Sequence, residues 1–243
     1  MTHRLPWRLA DDDVRFPPAE DALDDPNGLL AVGGDLSPAR LLSAYRHGIF
    51  PWYSSGQPIL WWSPDPRMVF RTDGVHLARR FRRTLRDLPW TVRADTCFDA
   101  VVGACAAPRA GQRGTWITPA MRTAYGELHR LGHAHSIEAF DGSTLVGGLY
   151  GVAVGRMFFA ESMSSAASGG SKVALLALAR FLAGQGWPWF DAQLANPHLR
   201  SLGGETMPRD RFLAEVAGLV ALPGLPGPWT EAFGAPPAAS LGW

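Results

Sequence analysis

Two acidic side chains, Glu161 and Asp191, fall inside segments that are otherwise largely apolar or aromatic, RMFFAESM and WPWFDAQL. A carboxylate in such surroundings is costly unless it is paired or used. Used, it has a raised pKa and can take a proton near neutral pH. Paired, it meets an arginine and is structural, and the sequence alone leaves both readings open. Side chains alternate along a strand, so a regular strand sets Trp189, Asp191 and Gln193 on one face. Asp191 and Gln193 would then lie about 7 Å apart at Cα. The same alternation groups Met157, Phe159, Glu161 and Met163. An acid, an amide and a second acid above methionine and aromatic groups would hold an apolar group and a cationic or hydrogen-bonding group together.

Such residues need a strand–helix–strand unit to position them. LVGGLYGVAVG and RMFFAESM read as strands, SKVALLALARFLAGQG as a helix buried on nearly every side, and WPWFDAQL as the next strand. Gly169, Gly170 and Ser171 build the helix start. The loop SSAASGGSK offers N–H groups to an anion, or is simply a strand–helix connection. Lys172, the chain's single lysine, sits at that start. Gly147, Gly148, Gly151 and Gly155 weaken a strand and predict a bulge or a close backbone approach. Upstream, WTVRAD reads as a strand and TCFDAVVGACAA as a helix. An arginine–glycine loop follows, then GTWIT and a helix capped by Thr118. HSIEAF and TLVGGLYG form a hairpin through the turn DGS. HLRSLGG and PRDRFLAEVAGLV are helical. The proline-glycine tail after Ala221 is expected to be loose or disordered.

The segment VHLARRFRRTLRD predicts a basic helix over 75–87. Arg79, Arg82, Arg83 and Arg86 share one face, and Leu77, Phe81 and Leu85 anchor another. With no interspersed carboxylate the arginine face is self-repelling, and it is either merely solvated or phosphate-binding. Residues 1–70, rich in proline, glycine and tryptophan, form a small N-terminal domain ahead of a mixed α/β domain over 71–243. SPARLLSAYRHG is a helix with Ser37 as cap, Pro38 in its first turn and Gly48 at its end. Trp52, Tyr53, Trp61 and Trp62 crowd an irregular stretch. They make either a small aromatic core or a stacking surface for a nucleobase.

The 243 residues are 47% hydrophobic with net charge +1, which fits a globular chain and shows no global pull toward nucleic acid. No apolar run approaches the ~20 residues a membrane span needs. The N-terminus carries no hydrophobic signal core, so a cytoplasmic location is expected. Cys97 and Cys105 are too few for a disulfide framework. His129, His133 and His135 cluster without a clear further ligand, so no metal is assigned. No GxSxG elbow or Walker-type loop is present, and no cofactor is implied.

Several blocks together carry a resemblance: PNGLLAVGGDLSPARLLSAYRHGIFPWYSSGQPILWWSPDPR, then GTWIT, GHAHSIE, LVGGLYGVAVG, ESM, SKVALL, FDAQ and HLRSLGG. In order and spacing, from about Phe16 to about Val220, they resemble the leucyl/phenylalanyl-tRNA–protein transferase family. The resemblance implies a bacterial cytoplasmic enzyme of the N-end-rule pathway. It would move leucine or phenylalanine from aminoacyl-tRNA to a protein's N-terminal arginine or lysine, without a cofactor. The implied fold is a small N-terminal domain followed by a GNAT-like acyltransferase domain. Carried over by motif, Asp191 and Gln193 would be the catalytic pair, and Glu161 would hold the acceptor's N-terminus. Trp52 and Trp116 would embrace the terminal adenosine. Phe158, Met163, Leu175 and Phe190 would form the amino-acid pocket, and the arginine face would meet the tRNA acceptor stem. The family usually reads GESMFS and NASK, where this chain has AESMSS and GGSK, and a cysteine where this chain has Ala192. The rivals are an acyl-CoA N-acyltransferase and a non-catalytic adaptor that binds basic N-termini or tRNA.

Overall fold

Local signals near the N-terminus act as the sequence predicts. The computed structural model describes residues 5–108 and 115–241. The arginine–glycine loop and Gly114 of GTWIT lie outside them. Strands β1 (Trp7–Leu9) and β2 (Leu29–Gly33) precede helix α1 (Pro38–Arg46). The Ser37 hydroxyl accepts from the Arg40 N–H at the helix start, and Gly48 follows the helix with φ +69°. Strands β3 (Phe50–Pro51) and β4 (Leu60–Trp62) complete a four-stranded sheet in the order β1-β2-β4-β3.

The second sheet opens with β5 (Arg67–Arg71), which runs across the division expected between residues 70 and 71. There follow α2 (Arg79–Asp87), β6 (Trp90–Ala94), α3 (Phe98–Ala106) and α4 (Pro119–Arg130). Next come β7 (Ala134–Asp141), β8 (Thr144–Val154), β9 (Met157–Ser165), α5 (Gly170–Gly184) and β10 (Trp189–Asp191). The chain closes with α6 (Pro197–Ser201), β11 (Glu205–Met207), α7 (Arg209–Val220) and α8 (Thr230–Phe233). The seven strands run in the order β11-β5-β10-β9-β8-β7-β6, antiparallel throughout except for the parallel pair β9 and β10. This is the mixed α/β architecture expected, with α5 linking the parallel pair of this sheet.

Alternation along β8 sorts the core. Tyr150, Val152 and Val154 face a cluster with α1, α3, α4 and α7, whereas Leu149 and Ala153 face α5; Val146, left unpaired where the register with β7 shifts, joins the α5 side. The α5 residues Val173–Ala179 are all buried, which accounts for an apolar helix without a polar stripe. The β8 glycines answer a close approach. A side chain on Gly147 would collide with the Gly170 backbone, so α5 begins against the strand itself.

The tail differs from expectation. Trp229 is fully buried, its backbone N–H donates to Asp95 Oδ2 at 2.7 Å, and its ring stacks on His135 at 3.8 Å. The Val92 N–H donates to the Pro236 carbonyl, and Ala238 is buried. Proline and glycine content suggested a loose end, but one large aromatic and a β6-edge contact fasten it.

Candidate active site

Strands β9 and β10 lie side by side for two residue pairs, Phe158–Phe190 and Phe159–Asp191. Then β10 ends while β9 runs on to Ser165. The strands part there, and a cleft of about 830 Å³ opens with Ala160–Ser165 on one side and Ala192–Leu194 on the other. Trp52 and Trp116 line it, as do Met163 and Leu175. Trp52 is about two-fifths exposed and packs edge-on against Trp62 at 5.6 Å.

The position of Glu161 comes from a bulge. Ala160 pairs with Gly151 and Ser162 with Tyr150, which leaves Glu161 as the unpaired extra residue of β9. Its side chain turns toward α1 and α4. The Tyr45 hydroxyl is hydrogen-bonded to Oε1 at 2.7 Å and the Tyr125 hydroxyl to Oε2 at 2.8 Å, and the two phenol oxygens are themselves 2.7 Å apart. Gln193 Nε2 donates to Oε1 at 2.8 Å. Glu161 is buried. Burial pushes its carboxyl up to about 7; Asp191 adds to the rise, and the Tyr45 and Tyr125 hydrogen bonds and Arg67 oppose it.

The bulge also resets alternation. Met163 pairs with Leu149 and packs with the α5 side, whereas Phe159 belongs to the opposite cluster. Met163 therefore does not share a face with Glu161, as strict alternation predicted. The cleft draws on both faces of the sheet because it sits where the strands separate.

Asp191 is placed differently from the sequence expectation. Arg67 Nε donates to Oδ1 at 2.8 Å and Nη2 to Oδ2 at 2.7 Å, and neither side chain is exposed. The guanidinium lies between the Phe50 and Phe212 rings, 4.7 and 4.6 Å from their centroids, and also donates to the Gly48 carbonyl. Asp191 does not line the cleft. The carboxylate also accepts from the Gln193 N–H, which donates to Oδ1 at 2.9 Å. Gln193 takes φ +60°, and its carbonyl accepts from the Met68 N–H at 3.0 Å. Strand β10 thus stops at Asp191, and Gln193 is not on a shared strand face with it. The left-handed turn aims the Gln193 amide at Glu161.

Phe158 and Phe190, expected in the amino-acid pocket, are fully buried and do not line the cleft. Phe190 stacks on Phe70 at 5.1 Å, and it is Phe70 that reaches the cleft wall. Three residues at the centre carried no individual signal in the sequence: Tyr45, Tyr125 and Arg67. The available hint was a phenol at the core position of an amphipathic helix, since a buried phenol usually seeks a polar partner.

The arginine face lies on α2, which begins at Arg79. Arg79, Arg83 and Arg86 are exposed and Arg82 is half-buried. Arg79 and Arg83 line a surface groove with Arg80 and Thr84. Phe81 anchors α2 against Gly169, where a side chain would collide with the ring, and Lys172 Nζ sits 5.7 Å from the Phe81 centroid. The α2 helix therefore rests on the start of α5, whose Ser171 lines the cleft. Within the serine-glycine loop, the Ser171 N–H already donates to Ser165 Oγ at 2.9 Å. His129 Nδ1 bonds the Ala134 carbonyl and His135 Nδ1 bonds Asp95, both at 2.8 Å. Among the described residues no cluster of three or more His, Cys, Asp or Glu could hold a metal. No helix among them is long and apolar enough to cross a membrane.

Comparison with known families places these residues in context. A family model described as leucyl/phenylalanyl-tRNA protein transferase matches residues 69–217, and a model of that family's N-terminal domain matches residues 34–65. A leucyl/phenylalanyl-tRNA–protein transferase of Xanthomonas axonopodis pv. citri is 64% identical, over 100% of this chain and 98% of that one. One from Xanthomonas euvesicatoria pv. vesicatoria is 69% identical over 93% and 91%, and one from Xylella fastidiosa is 59% identical over 96% of each. Among solved structures, "The structure of L-PGS from Bacillus licheniformis" overlaps 69% of this chain and 53% of that one, at TM-score 0.39 and 10% identity.

Proposed function

The chain belongs to the leucyl/phenylalanyl-tRNA protein transferase family, and we propose that it moves leucine, phenylalanine or methionine from aminoacyl-tRNA to the α-amine of proteins that begin with arginine or lysine. It is an aminoacyltransferase. The chemistry is aminolysis of an ester. The amine nitrogen attacks the aminoacyl carbonyl carbon, the ester C–O bond breaks, and the ribose oxygen leaves with a proton. The ester supplies the driving force. The protein must align amine and carbonyl and see that the ammonium loses its proton.

The observation that carries this reading is the meeting of Glu161 and Gln193 at the wall of a cleft that also holds Trp52, Trp116, Met163 and Leu175. The tryptophans suit a nucleobase, which stacks on aromatic faces. Met163 and Leu175 suit an apolar amino-acid side chain. Glu161 is the acid placed to meet a cationic N-terminus and to accept its proton. Asp191 acts as a positioning residue: held by Arg67, it fixes the Gln193 backbone. The α2 arginines, beside the start of α5, suit the phosphates of an acceptor stem. The extended N-terminus would be a degradation signal, and a tRNA donor places the reaction in the cytoplasm.

The test is direct. The protein is mixed with leucyl-tRNA and a peptide beginning with arginine, and the peptide is weighed by mass spectrometry. One added leucine is expected, and none when the peptide's α-amine is acetylated. An adaptor would add nothing, and an acyl-CoA N-acyltransferase would need a CoA ester.

A further inference from the structure

The hydrogens around Glu161 have to match its short oxygen–oxygen distances. Two such distances join it to the phenols, Tyr45 to Oε1 at 2.7 Å and Tyr125 to Oε2 at 2.8 Å, and a third joins Tyr45 to Tyr125 at 2.7 Å. Each phenol owns one hydrogen. Burial raises both phenols well above their ordinary range, so both keep that hydrogen. Two hydrogens cannot bridge three pairs of oxygens. With Glu161 ionised, one pair would face each other at 2.7–2.8 Å with nothing between them. A single further proton on Oε2 resolves the mismatch. Glu161 then donates to Tyr125, Tyr125 to Tyr45, and Tyr45 back to Oε1. Gln193 Nε2 already donates to Oε1, which leaves Oε2 as the oxygen that carries the proton.

We propose that Glu161 rests as a neutral acid whose proton closes this ring with Tyr45 and Tyr125, and that the site sheds one proton when a cationic N-terminus binds. The second half rests on the reading of the cleft as the acceptor site. The groups that face Glu161 agree with a stored proton. Tyr45 comes from α1, Tyr125 from α4, Gln193 from the turn after β10, and the buried Tyr150 phenol, itself unpartnered, from β8. None of these is a cation. The Arg67 charge that acts on Glu161 is tied at two points to Asp191, whose own charge opposes it.

The proton balance follows. The free site holds one proton on Glu161, and the incoming ammonium brings its own. On binding, the Glu161 proton passes to solvent, Tyr45 and Tyr125 move apart as both donate to the carboxylate, and the ammonium becomes its counter-ion. Transfer of an ammonium proton to Glu161 then closes the ring again and leaves a neutral amine beside the ester. Either bound form has one proton fewer than acid and ammonium apart. An acceptor therefore helps generate its own counter-charge, and an uncharged N-terminus cannot.

Two measurements test this. The first is infrared difference spectroscopy of the free protein against Glu161→Gln. A protonated-carboxyl C=O band is expected at about pH 6, fading as pH rises through about 7. Tyr125→Phe removes the group that accepts the Glu161 proton and the crowding of oxygens that calls for it, so its midpoint should move downward. The second is calorimetry of an N-terminal-arginine peptide in buffers of different ionisation heat. About one proton should be released per peptide at about pH 6, falling to none or to net uptake at about pH 8. Absence of the band at the lower pH overturns the ring whatever the peptide does. A band with saturable peptide binding but no proton release overturns the coupling. A band with no saturable peptide binding leaves the ring supported and overturns both the coupling and the acceptor-site reading.

Discussion

Arg67 grips Asp191 at two points, at 2.8 and 2.7 Å, with neither side chain exposed to solvent. Removing one partner of such a pair leaves an uncompensated buried charge and costs about 3–5 kcal/mol. Asp191→Asn should therefore appear first as a loss of stability of that size in urea unfolding. Adding Arg67→Met to Asp191→Asn should recover part of it, since the stranded guanidinium is gone. If Asp191 were instead the base at the reacting amine, Asp191→Asn would unfold like the parent protein while turnover collapsed.

The Glu161 carboxyl sits at about 7 in the folded chain against an ordinary 4.5. The folded state thus holds a proton that the unfolded chain releases between those values. Stability from this group is full below about 4.5 and is lost as pH rises to about 7, at up to ~1.4 kcal/mol per pH unit. Glu161→Gln cannot titrate. The difference in unfolding free energy between the parent protein and this variant should slope across that window and flatten on either side, as read by chemical denaturation at stepped pH.

Arg79 and Arg83 are exposed and share a groove on α2. Their replacement by glutamate should weaken tRNA binding and make it less sensitive to salt, by a slope of roughly 1 for each phosphate no longer neutralised. A short aminoacyl-adenosine donor should react as before. Filter binding across a salt series, with transfer assays on both donors, separates this face from a merely solvated one.

Ser164 lines the cleft and is half-buried there. A ring at this position takes volume beside Met163. Ser164→Phe should favour the smaller apolar side chain and shift the leucyl-to-phenylalanyl ratio of kcat/KM by roughly tenfold. Competition between the two charged tRNAs, read as product masses, gives that ratio.

The sequence carried much of the fold and part of the site. Caps at Ser37 and Thr118, the 134–154 hairpin and the apolar α5 are local signals that tertiary packing does not contradict. Glu161, Gln193, Trp52, Trp116, Met163 and Leu175 do meet in one cleft. The β8 glycines signalled a bulge or a close approach, but its place at Glu161 was not legible, because which residue of β9 goes unpaired is set by its register with Gly151 and Tyr150. Nor was the end of β10, since Asp191 stops the strand through a hydrogen bond to the Gln193 backbone. Arg67 lies 124 residues before Asp191, and Tyr45 lies 116 before Glu161. Partners that distant leave no trace in local patterning, so the sequence leaves Asp191 open between a working and a paired acid until its arginine is seen.

Glu161 stands at the meeting point of the Tyr45 and Tyr125 phenols, the Gln193 amide and the cleft. The most direct measurement is the single-turnover rate of leucyl transfer by Glu161→Gln, with leucyl-tRNA and an N-terminal-arginine peptide both saturating. Saturation removes any effect on affinity, and glutamine keeps the shape while losing the ability to take a proton. A proton-accepting role at the reacting amine predicts a fall of about 100-fold or more, the scale of general base catalysis. A rate within a factor of about two of the parent protein would contradict it, and would leave proton removal to the ribose hydroxyl or to solvent.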